Sequence, residues 1–387
     1  VTSLKQHFAR STGRPGAPLH FAAHSHHPWP DVTFAAQQQA WEDAATLLDR
    51  KWDRIFATVV PEAQRHVARR LALSDPGTIV FAPNTHDFVR RLLSCLGPRS
   101  IPRILTTDSE FHSFTRQAAR LEEDGLVEVV RVPTEPFDSF AERFIAELRE
   151  GRFDLVFLSQ VFFNSGWVVR EMADIVAAVR HDDTLVAIDG YHAFMALPVG
   201  LSGVEKRVFY IAGGYKYAMA GEGVCFMHCP PGYGARPRDT GWYAEFGALG
   251  HARNDSVAYG IDGSRFAGST FDPSGLYRFN AVQRWLADLG EGGALLVQAG
   301  HAADLQARLL EAASPSLRLT LMAGASERRG RFLAFRTAEA GRIEAALAAR
   351  AIMIDRRGDR LRIGFGIYQD EADVDRLAAA LAEIGAG

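Results

Sequence analysis

From about residue 75 the chain alternates short apolar, β-branched runs with amphipathic stretches. The runs at 78–81, 103–106, 127–132, 155–158, 185–188, 208–211 and 224–228 read as strands. Helices are expected between the earlier ones, at 87–96, 113–123, 137–150 and 171–180. Continuous apolar strands alternating with helices predict an α/β fold, with a mostly parallel sheet covered on both faces. Such folds bind ligands where strands run into helices at the carboxyl edge of the sheet. After about residue 275 the order changes. Helices at 276–289 and 294–312 precede strand-like 332–336 and 361–365, with further helices at 338–349 and 371–384. The start of the chain is mostly helical, most clearly at 31–50 and 61–73. The expected organisation is an N-terminal helical segment over 1–70 packing with the small domain, a large α/β domain over 71–275, and a smaller α+β domain over 276–387.

Composition narrows the function classes. The 387 residues are 47% hydrophobic and 23% charged, an ordinary globular balance. With 43 basic against 46 acidic residues and no Lys/Arg block, nucleic acid is not an expected partner. Cys95, Cys225 and Cys229 are too few for a disulfide framework and lack the second pair of a zinc site. Val1–His7 carry no apolar run, and no stretch reaches the roughly 18 apolar residues of a membrane span. The expectation is a soluble, cytoplasmic protein.

Two motifs carry the chemistry. Lys216 lies in Gly213-Gly214-Tyr215-Lys216-Tyr217-Ala218, a glycine- and tyrosine-rich segment just past an apolar run. Asp189-Gly190-Tyr191-His192 follows the apolar run Leu185-Val186-Ala187-Ile188. A lysine among small residues can supply an amine for a Schiff base. An aspartate at a strand end can keep a pyridinium nitrogen protonated, because an opposite charge favours the cation. Those are the two things pyridoxal 5'-phosphate needs from a protein. Read singly, the lysine is an exposed loop residue, the aspartate a turn former and His192 a structural histidine. Asn84 and Thr85 sit between a strand and a helix, so either is a natural N-cap, and a helix N-terminus also attracts phosphate. Alternation over Asp359–Phe365 puts Arg360, Arg362 and Gly364 on one strand face, either solvated or, at Arg362, gripping a substrate carboxylate bidentately. The histidines of His24-Ser25-His26-His27-Pro28-Trp29-Pro30 have no clear set of further metal ligands, so a metal site is not expected. Lining the substrate cavity suits the segment better, with His26 as the candidate.

Together these residues resemble the class V branch of the fold-type I pyridoxal-phosphate enzymes, and within it the kynureninases most. The likeness runs over about 78–275 and resumes at about 359–380. It implies a seven-stranded, mostly parallel sheet domain with a small C-terminal domain, working as a homodimer on a small amino-acid substrate. It implies roles as well. Asn84 and Thr85 fall where the family holds the cofactor phosphate, and Tyr215 would bond it too. Glu110-Phe111-His112-Ser113 resembles the segment whose Phe stacks on the pyridine ring, which gives Phe111 that role. Ser159-Gln160-Val161 resembles the stretch beside the ring hydroxyl, implicating Gln160. Asp189 and His192 match the family Asp-x-x-His, and Tyr215-Lys216-Tyr217 the segment around the Schiff-base lysine. Gly241-Trp242-Tyr243 and Arg265-Phe266-Ala267-Gly268-Ser269-Thr270 resemble segments that reach the partner subunit's cofactor, through Trp242 and Thr270. Leu361–Tyr368 is similar to the kynureninase ending and marks Arg362 as the carboxylate clamp.

The chain departs from kynureninases in the histidine segment at 24–27, in Gly268-Ser269-Thr270, which is more typical of class V aminotransferases and desulfurases, and in having no clear counterpart of the histidine they use against the substrate's aromatic ring; Glu222 stands where many class V members have Pro after Ala-Gly. The expected function is kynureninase-like Cβ–Cγ cleavage, with class V transamination as the alternative. Cysteine desulfuration is weaker, since no cysteine follows Cys229. A non-catalytic protein of the same fold is the reading from another class.

Overall fold

A computed structural model describes residues 3–97, 101–248, 256–290 and 293–385. Its strands are, in chain order, β1 (Leu19–His20), β2 (Ile79–Ala82), β3 (Arg103–Thr107), β4 (Glu128–Val132), β5 (Leu155–Ser159), β6 (Leu185–Asp189), β7 (Phe209–Gly213), β8 (Cys225–His228), β9 (Phe332–Arg336), β10 (Ile352–Met353), β11 (Asp355–Arg357) and β12 (Arg360–Gly364). Seven of them form one sheet in the order β2-β8-β7-β6-β5-β3-β4, in which only β8 runs against its neighbours. The expected seven-stranded, mostly parallel α/β sheet is present, each strand within a residue or two of its apolar run.

Successive side chains of a strand face opposite sides, and both sides of this sheet are apolar. Val156, Leu158, Val186, Ile188 and Tyr210 enter one core, while Leu155, Phe157, Ala187, Phe209 and Ile211 enter the other. That is why these strands read as unbroken apolar runs. The helices between them end on local signals. Asn84 accepts a hydrogen bond from the Asp87 backbone N–H at 3.0 Å and so starts Thr85–Ser94. Asp370 and Asp373 form a reciprocal capping box at the start of Glu371–Glu383.

The C-terminal part builds a three-stranded antiparallel sheet, β11-β12-β9, over a third core that includes Leu333, Phe335, Leu361 and Ile363. The segment 1–70 divides between the two bodies. β1 pairs in parallel with β10, and Phe21 joins the C-terminal core. Phe8, Ile55, Val59 and Val67 enter the core of the large sheet, and the helix Val32–Leu47 packs along Ser274–Asp288. The N-terminal segment therefore packs against both the large sheet and the C-terminal sheet.

Candidate active site

β5, β6 and β7 are in register, with Ser159 opposite Asp189 and Asp189 opposite Ile211. Their carboxyl ends therefore deliver Gln160, Asp189 and the Gly213–Lys216 loop to one edge of the sheet. β3 leads to the same edge, where Phe111 is the extended residue before the helix His112–Glu123. This is the edge at which parallel sheets bind ligands.

The Lys216 loop is fixed by its backbone. The Gly214 N–H donates to the Val224 carbonyl at 2.7 Å, and the Ala220 N–H donates to the Gly214 carbonyl at 2.9 Å. Arg278 donates to the carbonyls of Ala220 at 2.7 Å and Glu222 at 2.6 Å. A β-carbon at Gly213 would collide with Cys225 and the Tyr191 hydroxyl, so the glycine lets the loop lie against β8. The result is a lysine only 5% exposed. Its Nζ lies 2.8 Å from His192 Nε2, 4.7 Å from the Tyr191 ring centre and 5.5 Å from that of Phe111. Burial lowers the Lys216 pKa to about 7; nearby Asp189 opposes the shift, and Arg362 and Arg357 add to it.

His192 is held well below its ordinary pKa by burial, with Lys216, His24 and Arg362 adding to the effect. It is therefore neutral. With Lys216 donating to Nε2, the ring proton belongs on Nδ1, which is buried without a partner. Asp189 accepts from the Tyr191 N–H at 2.9 Å. Burial raises its pKa, while that N–H and Lys216 pull it back. Glu110, beside Phe111, is 2% exposed and accepts from Thr107 Oγ1 at 2.6 Å, Ser159 Oγ at 2.6 Å and the Ser159 N–H at 3.1 Å. Burial pushes its pKa up to about 7 against those donors, and Asp189 adds to the rise.

The other expected residues are placed unevenly. Gln160 is half-buried and its Oε1 accepts from the Tyr210 hydroxyl at 3.2 Å. Tyr215 is half-buried, with its ring 4.7 Å from that of Tyr191. Asn84 caps its helix through its side-chain oxygen, while Thr85 opens a first turn whose early N–H groups have no intrahelical partner. Trp242 and Thr270 are exposed, and among the described residues neither shares a hydrogen bond or ring contact with the Lys216 group.

Arg362 does not lie on a solvated strand face: it is 3% exposed, donating from Nη2 to Asp355 and from Nη1 to the Phe163 carbonyl, with Nε unpartnered. The antiparallel register sets Asp355 directly opposite it. Within the histidine segment, His26 is exposed and stacks on Tyr215 at 5.0 Å, whereas His24 is fully buried. The His24 ring stacks 4.5 Å from Phe332 and 6.5 Å from His192, and its Nε2 lies 3.4 Å from Asp355 Oδ2. Neither His24 nitrogen has a hydrogen bond. Sequence reasoning missed His24, Asp355, Glu110 and Arg278. The Gly358-Asp359 turn between Asp355 and Arg362 was a readable hairpin signal for one of them; the others depend on long-range packing.

Pyridoxal phosphate fits what is present. A buried amine has a neutral partner, an aspartate stands at the neighbouring strand end, a helix N-terminus opens nearby, and His192 carries a buried, unpartnered nitrogen. Fold and site define a pyridoxal-phosphate-dependent enzyme of fold type I. The sequence profile described as aminotransferase class-V matches residues 30–377, and the chain belongs to that family. Isopenicillin N epimerase of Streptomyces clavuligerus is 29% identical over 354 residues, covering 82% of each chain. Two solved structures share the fold. A C-DES mutant with glycine covalently linked to its cofactor has a TM-score of 0.81 at 17% identity, covering 99% of this chain and 100% of that one. The apo cysteine desulfurase from Thermococcus onnurineus has a TM-score of 0.80 at 14% identity, covering 99% of this chain and 98% of that one. The narrower likeness to kynureninases rests on motifs alone.

Proposed function

We propose that this enzyme removes and returns the α-proton of an amino acid, with epimerisation at that carbon as the net reaction. The observation that carries the reading is Lys216, a buried amine with a pKa of about 7 whose hydrogen-bond partner is a neutral histidine rather than a carboxylate. Such an amine is substantially unprotonated near neutrality, and so acts both as nucleophile and as base. When bound, pyridoxal phosphate supplies an aldehyde for the amine and a ring that withdraws electrons from the substrate's α-carbon.

In this reading the α-proton is held at Lys216 Nζ, and His192 Nε2 orients that nitrogen. Asp189 would hold a proton on the ring nitrogen of the cofactor, and Phe111 would pack on its ring. Gln160 would serve its hydroxyl, while Asn84, Thr85 and Tyr215 would serve its phosphate. Arg362 takes the substrate carboxylate, and His26 stands at the substrate side. Trp242 and Thr270 complete the site of the other subunit in a homodimer. A cytoplasmic setting suits the three free thiols.

Support for epimerisation comes from the curated relative, similar over most of both chains. Kynurenine cleavage is the second reading, favoured by the motifs around Asp189-Gly190-Tyr191-His192 and Leu361–Tyr368. One assay separates them. Holoenzyme is incubated in D2O with a panel of amino acids that includes kynurenine, with and without a 2-oxo acid. Deuterium at the α-carbon with loss of stereochemical purity, and no need for an acceptor, is the expected result. Alanine plus an anthranilate, or product formed only with the acceptor, contradicts it.

A further inference from the structure

Arg362 is already occupied by a carboxylate of its own chain. β11 and β12 are joined through Gly358, at φ +60°, and their register brings Asp355 opposite Arg362. Asp355 Oδ2 accepts from Arg362, and its Oδ1 accepts from Arg357 at 2.8 Å. His24 Nε2 stands 3.4 Å from the same Oδ2. The cluster therefore holds two guanidinium groups and one carboxylate, which leaves one positive charge over. Burial lowers the His24 pKa to about 3, so that ring adds no charge. Burial alone would raise the Asp355 pKa, but His24, Arg362 and Arg357 together hold it well below the usual carboxylate range.

Some of the buried polar atoms left without partners lie in the same place. Arg362 Nε and both nitrogens of His24 are buried with no hydrogen bond, beside the His192 Nδ1 already set against the cofactor. All three side chains surround the Phe332 ring: His24 at 4.5 Å, His192 at 5.4 Å and the Arg362 guanidinium carbon at 5.8 Å. A buried donor without an acceptor is costly, and Arg362 Nε and the single N–H of neutral His24 are two such donors beside a surplus positive charge, a setting that suits an anionic ligand. A carboxylate gripping Arg362 side-on would use Nε, which is vacant, and Nη2, which Asp355 holds.

We propose that Asp355 is a resident competitor on Arg362, and that a substrate carboxylate binds by displacing it toward His24 and Arg357. The inference rests on the reading of Arg362 as the carboxylate site and deepens it. Asp355 then sets specificity, since a ligand must bring a full carboxylate able to win the exchange. A neutral group of the same shape leaves Asp355 in place. His24 is a positioning residue: it receives the displaced carboxylate and does not touch the reacting atoms.

The test titrates holoenzyme with propionate, a carboxylate that carries no amine, and follows the visible absorbance. Propionamide serves as the uncharged control. Asp355→Asn is expected to bind propionate about tenfold more tightly, a gain of about 1.4 kcal/mol, with propionamide unaffected. His24→Asn is expected to weaken propionate binding severalfold in the parent and to have no effect in the Asp355→Asn background. Unchanged or weaker propionate binding by a folded Asp355→Asn protein overturns the exchange. If Asp355→Asn does not fold, His24→Asn decides alone, and unchanged affinity overturns the proposal. Arg362→Gln separates the two levels. If it leaves propionate binding intact, the carboxylate reading of Arg362 fails and takes the exchange with it. If it abolishes binding while Asp355→Asn gains nothing, only the exchange fails.

Discussion

Lys216 Nζ has one hydrogen-bond partner among the described residues, the Nε2 of His192 at 2.8 Å. A neutral imidazole relieves the isolation of a buried amine without fixing a proton on it, as a carboxylate would. Asp189 acts on Lys216 only through its field, raising a pKa that burial has lowered to about 7. The pair thus keeps a lysine buried and reactive at once.

Lys216 should write itself into the pH dependence of stability. Its folded pKa, about 7, lies below the ordinary 10.5. Between those values the unfolded chain binds more protons than the folded one, so stability rises with pH across that window. The penalty for burying the charge is fully present below pH 7 and is relieved toward pH 10.5. Thermal unfolding of the cofactor-free protein over this range should show the rise, and Lys216→Met should flatten it by an amount on the order of a few kcal/mol. Identical curves for the two proteins would count against a buried, depressed lysine.

Glu110 accepts three hydrogen bonds, all from donors on β3 or β5. Glu110→Gln keeps the shape but offers an NH2 group to hydroxyls already committed as donors. It should cost about 1–3 kcal/mol, read as a lower midpoint in urea with an unchanged slope. A neutral outcome would mean that Glu110 is protonated in the folded protein.

Gly221 combines a left-handed backbone, φ +73°, with the Trp29 ring lying where a β-carbon would go. Gly221→Ala should destabilise the protein by about 1–3 kcal/mol. Because the loop also carries Lys216, cofactor affinity should fall with it, as measured by equilibrium dialysis of pyridoxal phosphate. Unchanged dialysis with lowered stability would uncouple the loop from the cofactor.

Arg278 donates to the carbonyls of both Ala220 and Glu222 and lies 4.8 Å from the Trp29 ring centre. Arg278→Met fills the volume and removes the donors, leaving two carbonyls to find other partners. A loss of about 2–3 kcal/mol is expected, since hydrogen bonds from charged donors exceed neutral ones. Hydrogen exchange should locate the loosening at the amides of 214–222. Exchange spread evenly over the whole chain would point to a general packing defect.

The large sheet was legible because its strands are apolar on both faces, which leaves an unmistakable local signal at β5 to β8. The positions of Asp189 and Lys216 followed, since each comes at or just past the end of such a run. What the sequence did not disclose depends on contacts between distant segments. β1 and β10 are two residues long each and pair across nearly the whole chain. His24 and His26 belong to one short segment, and only the fold of residues 19–30 over the C-terminal sheet buries the first and exposes the second. Strand alternation placed Arg362 on a face correctly, but it does not say what covers that face. Asp355 and the Phe163 carbonyl do.

Lys216 is expected to hold pyridoxal phosphate covalently. Protein loaded with the cofactor should show a visible absorption band, which borohydride should remove while fixing the pyridoxyl group to one peptide. Mass spectrometry of the digest should locate that group on Lys216, and Lys216→Ala should yield no labelled peptide. A label on any other lysine, or colourless protein that ignores added cofactor, would contradict the account.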